Sequence, residues 1–415
     1  MMPAVASPAS AYAQELLAIA GFGREVFDET DAVLDWASSG GMSLTGRSDG
    51  PPLVCTGPAI ALRGALLAFG SLAPGVQLPT TRLLGERAAL AGFSRQGAVS
   101  CGGGTRLVST ADGSVALSLT READVDLVPA LVEGSVGEVW AAVESWATTR
   151  SSAEVRDRGC LLGLPIAVVG EAPEGAPWTE HERRVGVPVS RQPVVVDLTS
   201  LWAGPLAASL LHDAGCRVLK VEDPRRQDGA RRGPRAFFDL LNAGAEAVAV
   251  DLASEQGRDE LEQLVREADV VLEGSRPRAL RHLGIIAEEV VSAHDVTWVS
   301  ITAHGRAHDR VGFGDDAAAA AGLLVDGCFV ADAVADPLTG VHAALAAWAG
   351  VRNGGARIVE LALSRVAARA ASLSVGEGTA VAVRDDEWWV EASAGWVPVE
   401  GPRARSPRGR GPDPA

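Results

Sequence analysis

The sequence predicts an α/β protein in which a mostly parallel sheet forms the largest unit. Short apolar runs of β type alternate with amphipathic helical segments between residues 193 and 305, which is the pattern of βαβ units. The chain of 415 residues is also longer than the ~250–300 residues that one hydrophobic core serves. Apolar residues make up 47% of the chain and charged residues 22%, so most of the chain can pack into a core. We therefore expect this large domain together with a smaller α/β domain.

The first part of the large domain contains three predicted strands and one helix. Residues 193–198 form a short apolar run that is typical of a buried strand. Residues 203–215 predict a helix that ends at Gly215, because glycine commonly follows the last residue of a helix. Residues 216–222 and 247–252 have the composition of two further strands.

The second part of the large domain continues the same alternation. Residues 254–268 predict a helix that begins after Ser254, a good N-cap residue. Residues 269–274 and 296–305 predict the fourth and fifth strands, with short helices between them. Sheets of this kind bind their ligands beyond the carboxyl ends of the strands. We therefore expect the functional site in the loops that follow the strands.

The remaining segments differ from the large domain in composition. Asp112 and Gly113 lie between two strand-like runs and predict a β-hairpin, because Asp-Gly is a strong hairpin signal. A stretch rich in Pro, Gly and charge precedes the large domain, and a polar stretch rich in Pro and Arg ends the chain. The predicted organisation is a helical, large-domain-like partial repeat over 1–100, the small α/β domain over 101–170, a linker over 171–192, the large domain over 193–370, C-terminal strands over 371–402 and a disordered tail over 403–415.

Charge and cysteine content argue against several classes of function. The formal net charge is −16, whereas domains that bind nucleic acid are basic. The five cysteines form no CxxC pair, so we expect neither a metal site nor a disulfide framework, and a reducing, cytoplasmic location. The N-terminus lacks a basic region, and no uninterrupted apolar stretch reaches the ~20 residues that span a bilayer, so we expect no signal peptide and no membrane contact.

Two groups of arginines follow predicted strands. Arg225, Arg226 and Arg231 come after the second strand, and Arg276 and Arg278 come after the fourth. Guanidinium groups match phosphate oxygens well, so these groups predict a site for a phosphorylated ligand, with a solvated basic loop as the alternative. No GxGxxG follows the first strand, which argues against a dinucleotide-dependent hydride transfer.

Two adjacent acids precede an alanine-rich helical run. Asp315 and Asp316 end the sequence VGFGDD, which begins at residue 311. Acids at this position commonly complement the positive end of a helix dipole. The functional alternative is a carboxylate that acts as a nucleophile or a base.

Seven sequence blocks together resemble the family III CoA-transferases of the CaiB/BaiF type. Each block is weak alone, but all seven occur in the order that the family has. The blocks are DL…AGP (197–205), AGCRVLKVED (214–223), LNAGAEAVAVDL (241–252), DVVLEGSRPR (269–278), SITAHG (300–305), GFGDD (312–316) and DPLTG (336–340).

The resemblance implies a fold, a reaction and a set of site residues. The fold is a Rossmann-like large domain plus a smaller α/β domain, in a homodimer whose chains interlock. The reaction moves CoA between an acyl-CoA and a small carboxylic acid, with coenzyme A as substrate and no permanently bound cofactor. Asp315 is the favoured nucleophile, with Asp316 as the alternative and Asp336 as a further catalytic residue. The residues that the resemblance places at CoA, in addition to the five arginines, are Ala203, Gly204, Pro205, Ser275 and His304.

Departures from the family pattern keep three hypotheses open. Ala245 and Glu246 stand where the family usually has a lysine. Gly314 stands where related acyl-CoA racemases have a histidine. CoA transfer is the first hypothesis. An epimerase that uses Asp315 with Asp336 or His304 is the second, and a catalytically inactive CoA-binding paralogue is the third.

The order of the blocks along the whole chain is also unusual. Residues 31–69 resemble residues 315–348, so the chain contains an internal repeat that precedes the large domain. The first copy lacks the second aspartate, because Ala61 lies near the position that corresponds to Asp336. We therefore expect the second copy to carry the chemistry.

Overall fold

A computed structural model of the chain describes residues 7–275, 277–376, 378–407 and 409–413. The helices are α1 (Pro8–Ile19), α2 (Ala32–Ser38), α3 (Gly57–Leu72), α4 (Glu86–Ala91), α5 (Glu122–Asp126), α6 (Val128–Val132), α7 (Val139–Ala147), α8 (Ser152–Leu161), α9 (Ala203–Asp213), α10 (Arg235–Asn242), α11 (Glu255–Glu267), α12 (Pro277–His282), α13 (Ala287–Ala293), α14 (Gly314–Ala320), α15 (Ala335–Asn353) and α16 (Leu363–Ser372). The strands are β1 (Thr105–Ser109), β2 (Ser114–Ser118), β3 (Ile166–Val168), β4 (Trp178–Arg184), β5 (Val194–Leu198), β6 (Arg217–Glu222), β7 (Glu246–Ala249), β8 (Val270–Glu273), β9 (Thr297–Thr302), β10 (Leu324–Val325), β11 (Cys328–Phe329), β12 (Ala356–Ala362), β13 (Val381–Arg384), β14 (Glu387–Ala392) and β15 (Gly395–Pro398).

A seven-stranded sheet forms the centre of the molecule. Its strand order is β4-β12-β9-β8-β5-β6-β7, and all neighbours are parallel except β4, which is antiparallel to β12. The five strands predicted from the sequence are confirmed as β5 to β9. Counted from β5, the parallel strands have the order 3-2-1-4-5-6, which occurs in doubly wound sheets. The strand order reverses between β5 and β8, so a crevice is expected beyond their carboxyl ends.

The predicted helices of the large domain are also present. The side chain of Ser254 accepts a hydrogen bond from Gly257 N and caps α11 as expected. Gly215, just after α9, has φ of 97°, a conformation that favours glycine. The helix α10 and the strand β12 were not predicted individually. Both belong to the region that was assigned to the large domain as a whole.

The N-terminal helices pack on the large domain. Side chains of α1 and α3 share one hydrophobic core with α9 and α15, and Leu16, Phe69, Leu206 and Leu338 in this core have no solvent exposure. Burial of one such side chain stabilises the fold by roughly 1.5–3 kcal/mol. Because the two parts share a core, residues from the first 100 positions can lie close to residues after 300.

The small α/β unit has its own core. The predicted hairpin is confirmed as β1 and β2, and β3 pairs with β2 in the same antiparallel sheet. Side chains from these strands and from α6, α7 and α8 form a separate hydrophobic cluster. The C-terminal strands β13, β14 and β15 form another antiparallel sheet, as predicted.

The structure corrects the expected linker over residues 171–192. Residues Trp178–Arg184 form β4 at the edge of the large sheet. Trp178 is buried and anchors the strand, whereas most of the following side chains are charged and exposed. Charged side chains protect an edge strand from pairing with other molecules, so the composition of this edge strand resembles that of a linker.

Within the expected disordered tail over residues 403–415, the described residues make contacts with the body of the molecule. Arg405 forms an ion pair with Glu86, which is fully buried, and Arg231 donates to the carbonyl oxygen of Pro412. The described tail residues therefore pack on the body, although they form no helix or strand. A buried carboxylate without a cation is costly, and this cost explains why the tail is held.

The described residues contain neither a membrane-spanning helix nor a metal-binding cluster. Within these residues, no helix has the length and apolarity needed to cross a membrane. The same residues contain no group of three or more His, Cys, Asp and Glu side chains arranged to hold a metal ion. The five cysteines, all of which are described, form no disulfide.

Candidate active site

A partly exposed arginine and three aspartates form the candidate active site. Arg87 of α4 makes a bidentate ion pair with Asp332, whose side chain has no solvent exposure. Asp315 in the first turn of α14 and Asp336 in the first turn of α15 also interact electrostatically with Arg87. The guanidinium lies 5.1 Å from the centre of the Trp202 ring, at the start of α9. We call Arg87, Asp315, Asp332 and Asp336 the acid cluster.

The acid cluster contains more carboxyl groups than its one cation can neutralise. Burial raises the pKa of Asp315 to about 6, and the charge of Asp332 adds to this shift. Burial raises the pKa of Asp336 to about 7, although Arg87 opposes the shift. Burial alone would lower the pKa of Arg87, but the aspartates, Asp332 first, raise it above its usual value. Carboxyl groups that titrate near neutrality in one cluster are typical of functional sites.

Asp336 is the carboxylate of the acid cluster that keeps partial exposure, whereas Asp315 and Asp332 are buried. It packs against the backbone of Gly314, where a Cβ atom would lie 2.2 Å from Asp336 Oδ2. Its place in the first turn of the 19-residue α15 also favours the carboxylate form, because the helix dipole is positive there. Asp336 is therefore the most exposed of the three carboxylates.

The backbone around Asp332 is strained. Ala331 has φ of 52° and Ala333 has φ of 42°, a region that residues with a side chain rarely adopt. Ala331 N donates to Thr45 Oγ1 at 2.9 Å, and Ala333 N donates to Asp315 Oδ1 at 3.0 Å. Strained residues of this kind cost about 1–3 kcal/mol each and cluster at functional sites. The strain therefore agrees with a functional role for this segment.

Asp316 has a different set of contacts from its neighbour Asp315. Its Oδ1 accepts hydrogen bonds from Phe313 N at 2.9 Å and from the Ser118 hydroxyl at 2.8 Å. Its Oδ2 lies 3.9 Å from Nε2 of His304, which follows β9. The structure thus brings the predicted residues Asp316 and His304 together.

A buried lysine fixes the loop between β5 and α9. Lys220 Nζ lies 3.5 Å from the Asp197 carboxylate and 3.0 Å from that of Asp228, and it donates to the Thr199 carbonyl at 3.2 Å. Burial alone would lower the pKa of Lys220, but the two carboxylates raise it. Asp228 also accepts from Leu201 N at 2.9 Å, and Leu201 has φ of 72°. The network holds this loop at the sheet edge where the sequence predicts a ligand.

The predicted residues Ala203, Gly204 and Pro205 form the buried first turn of α9. A Cβ at Gly204 would lie 2.0 Å from the Thr199 hydroxyl oxygen. A Cβ at Gly340, one turn after Asp336 on α15, would lie 2.7 Å from the Ala203 carbonyl oxygen. The two glycines therefore let α15 approach the loop after β5, which brings the acid cluster next to that loop.

The arginines after β6 have carboxylate partners or are exposed. Arg225 is exposed and pairs with Asp223 and Asp251. Arg226 is exposed as well. Arg231 is largely buried, and its guanidinium pairs with Glu222 beneath the loop that contains Asp228. Arg231 therefore has a structural partner, whereas Arg225 and Arg226 lie where a soluble anion can reach them.

The predicted residues after β8 are placed similarly. The Ser275 hydroxyl lies 3.4 Å from Glu273, and Arg278 is exposed and pairs with Asp309 at 2.7 Å. Arg276 lies outside the described residues. A Cβ at Gly274 would lie 3.3 Å from Thr199, so the loops after β5 and β8 are in contact. This contact marks the crevice at the reversal of strand order.

Sequence reasoning missed three residues of the site. Lys220 carried a signal, because a single charge inside an apolar strand is expensive unless a partner neutralises it. Asp332 lies four residues before Asp336, but its segment does not belong to the recognised blocks. Arg87 gave no signal, since it reaches the site from a position more than 220 residues away in sequence.

Comparison with known proteins finds similarity over part of the chain. The model of CoA-transferase family III matches residues 191–386. "Probable fatty acyl-CoA transferase Rv3272" from Mycobacterium tuberculosis is 36% identical over 120 residues, which cover 27% of this chain and 30% of the relative. Succinyl-CoA–D-citramalate CoA-transferase from Chloroflexus aurantiacus is 27% identical over 191 residues, which cover 41% and 48%.

A crystal structure of Rv3272 from M. tuberculosis is 29% identical and covers 49% of this chain and 63% of that chain, with a TM-score of 0.44. The chain spans 30% of the length of the curated fatty acyl-CoA transferase relative and 48% of the length of the succinyl-CoA–D-citramalate CoA-transferase. Residues 191–386 are thus similar to CoA-transferase family III over a little less than half of the chain.

Proposed function

We propose that this protein transfers CoA between an acyl-CoA and a carboxylic acid, and that Asp336 is the carboxylate that forms the covalent intermediate. The observation that carries the proposal is the acid cluster, in which a partly exposed aspartate lies within the electrostatic reach of Arg87 and next to the loop after β5. The family of residues 191–386 supports the reaction class.

The proposed reaction is an exchange between carboxylates and a thiolate. An Asp336 oxygen attacks the thioester carbonyl, the C–S bond breaks, and a mixed anhydride and the CoA thiolate form. The thiolate attacks the aspartyl carbonyl, which releases the donor carboxylate and leaves an aspartyl-CoA thioester. The acceptor carboxylate then attacks this thioester, which releases the CoA thiolate and forms a second anhydride. The thiolate attacks the acceptor carbonyl of this anhydride, which forms the new acyl-CoA and regenerates Asp336. Splitting the transfer into these steps is covalent catalysis, and no net proton is consumed.

The structure gives a reason to prefer Asp336 over Asp315, which the sequence favoured. Asp315 is 9% exposed, and its Oδ1 accepts from Ala333 N. Asp316 has no exposure and accepts two hydrogen bonds. These two groups therefore have supporting roles in the proposal. Arg87 would stabilise the negative charge that moves between the thioester oxygen and the carboxylates.

In the proposed binding mode the nucleotide part of CoA lies at the carboxyl edge of the Rossmann-like sheet. Arg225, Arg226 and Arg278 are exposed beyond β6 and β8, the two neighbours of β5. They would exchange their carboxylate partners for phosphate oxygens. Binding energy from this remote part of the substrate would position the thioester at Asp336.

The assembly and location are further parts of the proposal. A homodimer follows from the family resemblance, although Arg87 reaches the acid cluster within one chain. Sedimentation of the purified protein tests the dimer directly. A cytoplasmic location agrees with five cysteines that form no disulfide.

The test is an exchange assay with an acyl-CoA and isotopically labelled free acid. Wild-type protein should move label into the acyl-CoA, and D336N should lower kcat by at least about 10³-fold. D295N is the matched control, because Asp295 is 64% exposed and pairs with Arg184 at the opposite end of β9. Calorimetry with CoA should show that D336N still binds.

Two other results would support the epimerase or the inactive CoA-binding protein instead of a CoA-transferase. Solvent deuterium at the α-carbon without label exchange would indicate an epimerase. CoA binding without either reaction would indicate a CoA-binding protein. Full exchange activity in D336N would exclude Asp336 as the nucleophile.

A further inference from the structure

Two buried polar atoms face each other beside the candidate active site. Asp316 Oδ2 and His304 Nε2 lie 3.9 Å apart, and neither has a hydrogen-bond partner among the described residues. Asp316 has no solvent exposure, and the His304 side chain is 5% exposed. Unpaired buried polar atoms are rare in proteins, so this pair requires a physical explanation.

The backbone around the pair leaves no room for a larger residue. A Cβ at Gly312 would lie 2.7 Å from Asp316 Oδ2, 3.0 Å from His304 Nε2 and 2.6 Å from the Cβ of Ala303. Glycine at position 312 therefore lets the carboxyl group and the imidazole approach each other. A closing movement of about 1 Å would bring them within hydrogen-bond distance.

The charged groups around the pair disfavour an ion pair. Burial, together with the charges of Arg310 and His308, lowers the pKa of His304 to about 3. Burial raises the pKa of Asp316 to about 7, against its hydrogen bonds from Phe313 and Ser118, and Asp315 adds to the rise. An imidazolium beside Arg310 and a fourth carboxylate beside the acid cluster would both be costly.

We propose that Asp316 is a neutral carboxylic acid that donates its proton to Nε2 of neutral His304, and that this couple positions the segment 312–314 against which Asp336 packs. His304 would carry its own proton on Nδ1. Asp316 and His304 are thus positioning residues, and neither touches the substrate.

Asp316 connects three elements around the site. Its Oδ1 holds Phe313 N, between Gly312 and Gly314, and Gly314 is the residue against which Asp336 packs. The same Oδ1 accepts from Ser118, whose hydroxyl is 2.8 Å from that of Thr105 at the start of β1. A proton on Oδ2 fixes the third element, because it ties the carboxyl group to the end of β9.

Thermal unfolding across pH tests the proton on Asp316. A folded pKa near 7, above the unfolded value near 4, means that the folded state binds the extra proton between these values. The stability that Asp316 contributes therefore falls as pH rises from about 4 to about 7. D316N mimics the neutral acid and lacks this loss. Its Tm relative to wild type should rise between pH 5 and pH 8, while D295N should track wild type.

The opposite sign would overturn the proposal. If Asp316 were an ionised partner of protonated His304, wild type would gain stability over D316N as pH rises. A difference in Tm that does not change with pH would also contradict the neutral acid. Nitrogen NMR of the His304 ring in wild-type protein gives an independent readout. The proposal requires a neutral ring with its proton on Nδ1, and an imidazolium at pH 6 would exclude it.

The positioning role rests on the proposed function and needs a kinetic readout. D316A should lower kcat by about 10²-fold, because small misplacements of a reacting group have effects of this size. D316N should restore a large part of that loss with little change in KM, and H304L should resemble D316A. Equal kcat values in D316A and wild type would exclude a positioning role. The unfolding and NMR results do not depend on CoA transfer, so they stand or fall separately from it.

Discussion

Residues 31–69 and 315–348, which the sequence predicts to be two copies of a repeat, place their aspartates in different surroundings. In the first copy, Asp35 of α2 makes a bidentate pair with Arg63 of α3 at 2.7 Å and also accepts from Thr81 at 2.6 Å. In the second copy, the acid cluster places three aspartates around the single cation Arg87. The first copy thus satisfies its buried carboxylate, whereas the second concentrates negative charge that its cation does not balance.

The difference indicates which copy carries chemistry. A buried carboxylate with a complete set of partners contributes to structure. A group of carboxylates with pKa values near neutrality, beside strained residues such as Ala331 and Ala333, is typical of a functional site. Substitutions in the two copies should therefore separate stability from activity.

The largest expected effect in this comparison is that of R87M. Removal of Arg87 leaves Asp332 fully buried without its cation, so we expect a loss of about 3–5 kcal/mol in unfolding free energy. Activity should fall as well, because Asp336 loses the cation that favours its carboxylate form. Urea unfolding and the exchange assay measure the two effects. The double variant R87M/D332N should recover much of the stability but not the activity, and recovery of both would contradict a catalytic role for Arg87.

The matching change in the first copy is R63M. It breaks the pair with Asp35, which is 4% exposed, while Arg63 itself is 27% exposed. We expect a smaller loss of about 2–3 kcal/mol, with kcat per folded molecule within about twofold of wild type. R47M is the control, since Arg47 and its partner Asp49 are both largely exposed and its Tm should hardly change. A large fall in kcat for R63M would mean that the first copy also takes part in the reaction.

A further expected effect is a pH dependence that arises from the acid cluster of the second copy. Asp336 acts as a carboxylate, and its pKa is raised to about 7, so kcat should rise with pH through about 7. Stability should change in the other direction. Raised carboxyl pKa values mean that the folded protein binds extra protons between about pH 4 and pH 7, and unfolding free energy should fall across this range. A kcat that is flat between pH 5.5 and pH 8.5 would contradict this ionisation.

Local sequence patterns predicted the large sheet well but predicted the site only in part. The strands β5 to β9 are short apolar runs with clear boundaries, so their composition was sufficient. The edge strand β4 was missed because its exposed side chains are charged, and only its register with β12 shows that it belongs to the sheet. Composition does not report such long-range pairing.

The site depends even more strongly on contacts between distant parts of the chain. The sequence block DPLTG identified Asp336 as a candidate residue. Its electrostatic interaction with Arg87 depends on the packing of the first 100 residues on the large domain, where α3 and α15 share a core. The exposure that distinguishes Asp336 from Asp315 is likewise a property of the packed structure.

The most direct test of the central claim is mass spectrometry after covalent capture. Wild-type protein is incubated with a panel of acyl-CoAs, the intermediate is trapped with hydroxylamine or borohydride, and the modified residue is mapped by peptide sequencing. The account predicts a modification on Asp336 that is absent from D336N and retained in D295N. A modification on Asp315 or Asp316 would move the nucleophile to α14. CoA binding without any trapped residue would contradict covalent transfer by this protein.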